Sequence, residues 1–249
     1  MSIVLTGATT GIGRATARLL AGSAGHLILH GLEPTIGDFA PGDRITYFPA
    51  DFGDLDEVER LAARIRAATD RIDVLINNAA RPGPPARTVN AAGHEVTFQA
   101  NYLAPVLLTT RLLDLTRRVV NVASATHLSA TFAGPGRPYS AAGVYAYSKL
   151  ALVAYSCWLS RRRAEVVSMH PGVIATPLLH AMFPIGGDRP EHAAGNVRYV
   201  ASRRGDNGTY YDERTPAPPN PEALDPAAQE RLIDLTVRAL DVSALSEKR

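Results

Sequence analysis

A single α/β domain built on a doubly wound parallel sheet is predicted by two observations. Strand-like and helix-like segments alternate from the first residue onward, and the strands read as short, continuous apolar runs. Such runs mark strands covered on both faces, which is what helices crossing over a parallel sheet provide. Right-handed crossovers then give the doubly wound arrangement. A length of 249 residues suits one such unit, and 46% hydrophobic against 20% charged residues leaves enough apolar side chain for its core.

Each element follows from its own pattern. Residues 2–6 (SIVLT) form the first apolar run, followed by a glycine turn and helical periodicity over 12–21. Further strands are predicted at 26–30 (HLILH) and 45–48. Residues 55–68 place Leu55, Val58, Leu61 and Ile65 at the spacing of one helix face. A buried strand at 72–76 (IDVLI) precedes a long helix over 92–115 and a strand at 118–123 (RVVNVA). A second long helix spans 144–162, then come a strand at 166–170, a helix over 191–202 and a last strand at 209–211. Proline-rich residues 216–226 predict a loop, and 227–240 a terminal helix. No repeat or linker divides residues 1–249. The irregular stretches 82–85 and 133–143 adjoin the motifs below and are expected to form pocket walls.

Composition excludes several function classes. A net charge of +2 with scattered arginines gives no electrostatic footprint for nucleic acid. The one dense run, Arg161-Arg162-Arg163, falls at a predicted helix end, where cations favour the negative pole of the helix dipole. Cys157 is the only cysteine, so no intramolecular disulfide forms, and a cytoplasmic location is expected. No Cys/His cluster has metal-ligand spacing. Met1-Ser2 leads directly into the first strand without a basic leader, and no apolar run reaches the ~20 residues of a membrane span.

The first turn reads Thr6-Gly7-Ala8-Thr9-Thr10-Gly11-Ile12-Gly13, between a strand and a helix. Small residues there let the backbone approach a pyrophosphate, and the helix N-terminus offers unpaired N–H groups. A glycine pattern alone also fits a tight turn, but strand, spacing and helix agree on a Rossmann-type dinucleotide site formed by Gly7, Thr9, Gly11, Ile12 and Gly13. Asp51 follows the third strand, where a carboxylate is placed to accept from an adenine amino group; a loop or N-cap acid fits equally. Asn77-Asn78-Ala79 follows the fourth strand, again at the ligand-binding edge.

Tyr145 and Lys149 stand four apart on a predicted helix and share a face. The chain has two lysines, Lys149 and Lys248, against 24 arginines, so a lysine kept at this position points to a task for a compact ammonium. An ordinary phenol is a poor acid–base catalyst at neutral pH, and a neighbouring ammonium is expected to lower its pKa. Tyr145 is then expected to exchange a proton with a carbonyl oxygen while Ser124, at the end of the 118–123 strand, hydrogen-bonds the same oxygen.

The sequence resembles the short-chain dehydrogenase/reductase family. The resemblance rests on the TGxxxGIG turn, Asp51, Asn77-Asn78-Ala79, Asn101, Ser124, Tyr145-Ala146-Tyr147-Ser148-Lys149, and Pro171-Gly172 with Thr176, in the family's order along nearly the whole chain. It implies an NAD(P)(H)-dependent oxidoreductase interconverting a ketone or aldehyde with an alcohol. It further implies that Lys149 bonds the nicotinamide ribose, that Asn101 holds a water-linked proton relay, and that Pro171, Gly172 and Thr176 border the nicotinamide. A homodimer through the two long helices is implied as well, although the short connections 115–117 and 163–165 weaken it. The stretch 94–108, AYSKLA, HPGV and the segment 219–226 resemble the retinol-dehydrogenase-like branch, which implies an apolar substrate.

Two departures matter. Ala80 stands where the family has glycine, and it is strained if a positive φ is needed. The second strand ends in His30-Gly31-Leu32-Glu33, with neither the family's NAD-selective acid at Gly31 nor its NADP-selective arginine at Leu32. Loss of the acid removes a barrier to a 2′-phosphate, so NADP(H) is favoured; Arg14 fits a further phosphate partner and a solvent-facing residue equally well. The apolar, glycine-hinged stretch 177–187 is expected to act as a substrate lid; its apolar residues fit a core-packed turn equally well. Tyr147 is expected to pack and His170 to be structural, while His127 follows Ser124 closely enough to touch substrate but is not counted among the site residues. A non-catalytic dinucleotide-binding protein, or a redox-neutral epimerase or dehydratase, are the alternative functions on this fold.

Overall fold

The computed structural model describes residues 1–37, 39, 44–132, 138–162 and 165–242. Arg163 of the arginine run, residues 133–137 of the expected pocket wall, residues 163 and 164 of the second short connection, and Lys248 lie outside the described residues. The chain runs β1 (Ser2–Leu5), α1 (Gly11–Ala21), β2 (His26–Gly31), β3 (Ile45–Pro49), α2 (Leu55–Ala68) and β4 (Val74–Asn77). Next come α3 (Val96–Phe98), a π turn at Gln99–Leu103, α4 (Ala104–Leu112), β5 (Arg118–Val122), a 3₁₀ turn at Ala125–Ser129 and α5 (Ala141–Leu159). The remainder is β6 (Glu165–His170), α6 (Pro177–Met182), α7 (Pro190–Ser202), β7 (Tyr210–Asp212), β8 (Thr215–Ala217), α8 (Pro221–Leu224) and α9 (Pro226–Leu240).

The sheet order is β3-β2-β1-β4-β5-β6-β7-β8, and every pairing is parallel except β7 with β8. Strand order reverses between β1 and β4, so their C-terminal ends open a crevice, which is where ligands bind in open α/β sheets. Alternate strand residues feed two cores, one with α1 and α7 and one with α2, α4 and α5. Ile3 and Leu5 face the first, Val4 the second. This Rossmann-type layering is the predicted fold class.

Two local predictions change. The helix expected over 92–115 begins only at Val96, because the Asn90 side chain accepts the Ala92 and His94 N–H groups and Gly93 takes a φ of +81°. Glu95 then caps the helix by accepting the Phe98 N–H at 2.7 Å. The proline-rich loop expected over 216–226 contains β8 and α8. Pro216 is tolerated because β8 is a sheet edge, where a missing N–H costs no ladder bond. Glu213 makes the turn before it in the left-handed region, at a φ of +55°.

A buried polar chain ties the sheet to the helices. Asn77 donates to Thr109 (2.9 Å) and to Asn121 (2.8 Å), Asn121 donates to Ser156 (2.8 Å), and Ser156 donates to the Leu152 carbonyl (2.7 Å). An unpaired amide here would cost about 1–3 kcal/mol, so the chain fixes the register of α5 on β4 and β5. At the end of α5, Arg161 and Arg162 donate to the Cys157 and Trp158 carbonyls (2.9 and 2.8 Å), the helix-end role expected of the arginine run. Among the described residues, no helix is long and apolar enough to cross a membrane.

Candidate active site

Of the sequence-predicted site residues, all but Arg14, Asn77 and Asn101 line one cavity of about 690 Å³ along the C-terminal edge of β1, β4, β5 and β6. The turn after β1 forms its floor. Gly7 and Gly11 take φ values of +69° and +50°, conformations that side chains resist. A Cβ on Gly13 would lie 1.9 Å from the Gly7 carbonyl oxygen, so only glycine lets α1 start this close to the turn. Thr6 Oγ1 accepts the Asn78 and Ala79 N–H groups (both 3.0 Å), and Asn78 Nδ2 donates to the Thr6 carbonyl (2.9 Å). Asn78 thus spends its amide N–H groups on shaping the turn. Ala80 is not among the described positive-φ residues, so its methyl causes no backbone strain.

Asp51 lines the cavity with its carboxylate folded onto the Gly53 N–H at 2.7 Å, leaving acceptor capacity free. Sequence reasoning missed its neighbour His30. The His30 ring accepts the Gly7 N–H (3.4 Å), donates to the Ala50 carbonyl (3.0 Å) and stacks on Phe52 at 4.4 Å. Burial pulls its pKa down to about 4, so it is a neutral strut between the glycine turn and the Asp51 wall. A histidine closing an otherwise apolar strand, HLILH, was the available signal.

The reactive cluster stands opposite the turn. Ser124 follows β5 and caps the 3₁₀ turn by accepting the Thr126 N–H (3.3 Å). Its hydroxyl lies close enough to that of Tyr145, which α5 presents, to oppose the effect of burial on the phenol. Lys149, one turn on, donates to the Val122 carbonyl at 2.9 Å and lies 5.5 Å from the centre of the Tyr145 ring. The expected lowering of the phenol pKa is not what this arrangement gives. Burial pushes Tyr145 up to about 12 against the opposing influence of Ser124, and pulls Lys149 down to about 7. Both neutral forms are favoured because both groups are taken out of water.

Asn101 sits behind this wall, on the π turn, wholly buried. It accepts the Arg81 N–H (2.8 Å) and donates to the Arg81 carbonyl (3.1 Å) and to Ser148 Oγ (3.2 Å). Ser148, which sequence reasoning passed over, donates to the Tyr145 carbonyl at 2.7 Å. Pro171 and Gly172 follow β6. Asn196 of α7 donates to the Pro171 carbonyl (3.1 Å) and to Glu213 (3.0 Å), which braces this loop from behind. Thr176 caps α6 by accepting the Leu179 N–H at 3.2 Å and meets Gly11 across the cavity. His170 lines the cavity, and its Nδ1 is enclosed without a partner among the described residues. His127 is wholly buried and faces Tyr210, and Tyr147 packs between Phe98 and Phe132.

These residues fit a dinucleotide. The cradle that a Cβ on Gly7 or Gly13 would fill lies beside the first turn of α1, and the cavity reaches from there past Asp51 to Tyr145 and Lys149. Comparison with known proteins agrees. Residues 1–184 match the sequence model of the short chain dehydrogenase family. The chain is 30% identical to human retinol dehydrogenase 13, covering 98% of this chain and 86% of that protein. It is 32% identical to polyprenol dehydrogenase of Mus musculus, covering 92% and 80%. A crystal structure from Mycobacterium Paratuberculosis superposes with a TM-score of 0.80 at 25% identity, covering 97% of this chain and 93% of that one. The chain therefore belongs to the short-chain dehydrogenase/reductase family, in its retinol-dehydrogenase-like branch, and is an NAD(P)-dependent dehydrogenase/reductase.

Proposed function

We propose that the protein interconverts an apolar ketone or aldehyde with its alcohol, with Tyr145 as general acid and base. The observation that carries this reading is the Tyr145–Ser124 hydroxyl pair beside Lys149, in the same cavity as the Gly7–Gly13 turn. The turn, with Thr9, Ile12 and Asp51, would hold the dinucleotide, and Lys149, Pro171, Gly172 and Thr176 its nicotinamide end. When bound, the nicotinamide supplies or accepts the hydride. Ser124 orients the reacting oxygen by a hydrogen bond. Tyr145, a neutral phenol at physiological pH, gives its proton to that oxygen during reduction. The Lys149 ammonium offsets the phenolate so formed. Asn101 positions this wall through Arg81 and Ser148.

Apolar substrates are favoured because Val173, Leu178, Leu179, Met182, Phe183 and Ile185 line the cavity beside Thr176, which is also why residues 177–187 are read as the lid. The NADP(H) preference rests on the absence of an acid at Gly31. A second reading, NAD(H), is favoured by Glu33, which lines the same end of the cavity and offers a carboxylate to a ribose hydroxyl. A monomer is favoured over the homodimer, since α8 and α9 already cover α5. The cytoplasmic placement rests on the single cysteine.

The test is oxidation of NADPH and of NADH by the purified protein with aldehydes and ketones from small to long-chain. Tyr145→Phe is expected to lose at least about 100-fold in kcat while keeping cofactor affinity. Tight cofactor binding without turnover of any carbonyl or alcohol would move the reading to a binding protein or a redox-neutral enzyme.

A further inference from the structure

Ser124 is held from behind by a part of the chain beyond residues 1–184. Its carbonyl lies 2.7 Å from Nδ1 of His127, and the Asn220 N–H donates to His127 Nε2 at 3.3 Å. An N–H can only donate, so Nε2 is the bare nitrogen and Nδ1 carries the proton given to Ser124. His127 is wholly buried, against the Tyr210 ring at 4.7 Å and with His170 nearby, and burial lowers its pKa. The same two residues close the whole 3₁₀ turn. Asn220 Nδ2 donates to the carbonyls of His127 (3.0 Å), which also accepts the Ala130 N–H, and of Ala130 (2.9 Å). Glu222 accepts the Phe132 N–H and the Thr131 hydroxyl, each at 2.6 Å. The short chain dehydrogenase model ends at residue 184, so Asn220 and Glu222 lie outside the part it matches and within the segment 219–226 that resembles the retinol-dehydrogenase-like branch.

We infer that His127 and Asn220 are positioning residues for Ser124, fixing where its hydroxyl meets Tyr145 and the reacting oxygen. The inference rests on the proposed carbonyl chemistry. A sub-ångström shift of Ser124 degrades the transition state and leaves the dinucleotide floor, on the far side of the cavity, untouched.

A double-mutant cycle tests it with the full chain. Asn220→Ala and His127→Leu are each expected to lower kcat by about 10-fold to 100-fold, with the Kd for NAD(P)H, measured by fluorescence titration, unchanged. In a Ser124→Ala background either substitution is expected to add less than about 2-fold. His127→Asn, whose amide replaces the Nδ1 donor, is expected to recover part of the activity that His127→Leu loses. Equal losses with and without Ser124 would overturn the inference while leaving the reductase reading intact. So would unfolding of both Asn220→Ala and His127→Leu, which would make the contact a stability element. Absence of turnover in the unsubstituted protein would overturn both.

Discussion

Lys149 Nζ lies 5.5 Å from the centre of the Tyr145 ring and is bonded to the Val122 carbonyl at 2.9 Å. The two groups feel the same desolvation with opposite sign. Tyr145 rises to about 12 and keeps its proton; Lys149 falls to about 7 and sheds its charge within the physiological range. Lys149 is therefore the titrating member of the pair near neutrality. As pH rises through about 7 it loses the charge that offsets a forming phenolate, so kcat/KM for carbonyl reduction is expected to fall. A profile measured from pH 6 to 9 that instead climbs throughout would remove Lys149 from this role.

The same shift has a consequence for stability. Lys149 has a folded pKa of about 7 against an ordinary 10.5. Between those values the unfolded chain binds a proton that the folded chain does not, so stability rises with pH across the window. Below about 7 both states are protonated and the full burial cost applies. Lys149→Met removes that cost. It also leaves the Val122 carbonyl without its donor, a loss independent of pH. The change in Tm on substitution is thus expected to be more favourable at pH 6 than at pH 9, and an equal change at both would contradict a desolvated ammonium.

Gly13→Ala is expected to abolish dinucleotide binding. Its methyl would stand 1.9 Å from the Gly7 carbonyl oxygen and 2.6 Å from Asn78 Nδ2, and both belong to the braced turn. Relief requires moving α1 away from β1, at a cost of about 1–3 kcal/mol or more, and breaking the Asn78 bonds that shape the floor. Calorimetric titration with NAD(P)H reads this directly; unchanged affinity would mean that the turn is not the pyrophosphate site.

The turn was legible because its chemistry is local: strand, glycines and helix are contiguous, and the Tyr145–Lys149 spacing is one helical turn. The features that were not legible depend on distant partners. His30 has the look of a strand residue until β3 and the turn supply its two bonds, 20 and 23 residues away. His127 has no visible role until Asn220, 93 residues on, reaches it. The π turn at Gln99–Leu103 interrupts an unbroken apolar pattern, and its effect is to set Asn101 against Arg81. The pKa values of Tyr145 and Lys149 were not legible either: spacing showed the ammonium next to the phenol but not the burial that outweighs it.

Whether the protein dimerises follows from what already covers its two long helices. From Tyr145 to Leu159 every residue of α5 except Tyr147 is buried within one chain, and in α4 only Thr110 and Arg111 are not. The cover is partly α9. Trp158 donates to Glu230 (3.3 Å), Arg161 donates to Gln229, and the Tyr102 hydroxyl meets Thr236 (2.7 Å). A second chain docking on α5 would have to displace α9 and re-expose Leu232 and Ile233, both 3% exposed. The protein is therefore expected to scatter light as a 26.6 kDa monomer. Tyr102→Phe leaves Thr236 without its donor and is expected to cost about 1 kcal/mol of stability, read as a lower midpoint in urea. A mass of twice the chain, unaffected by loosening α9, would show that the pairing surface lies elsewhere on the molecule.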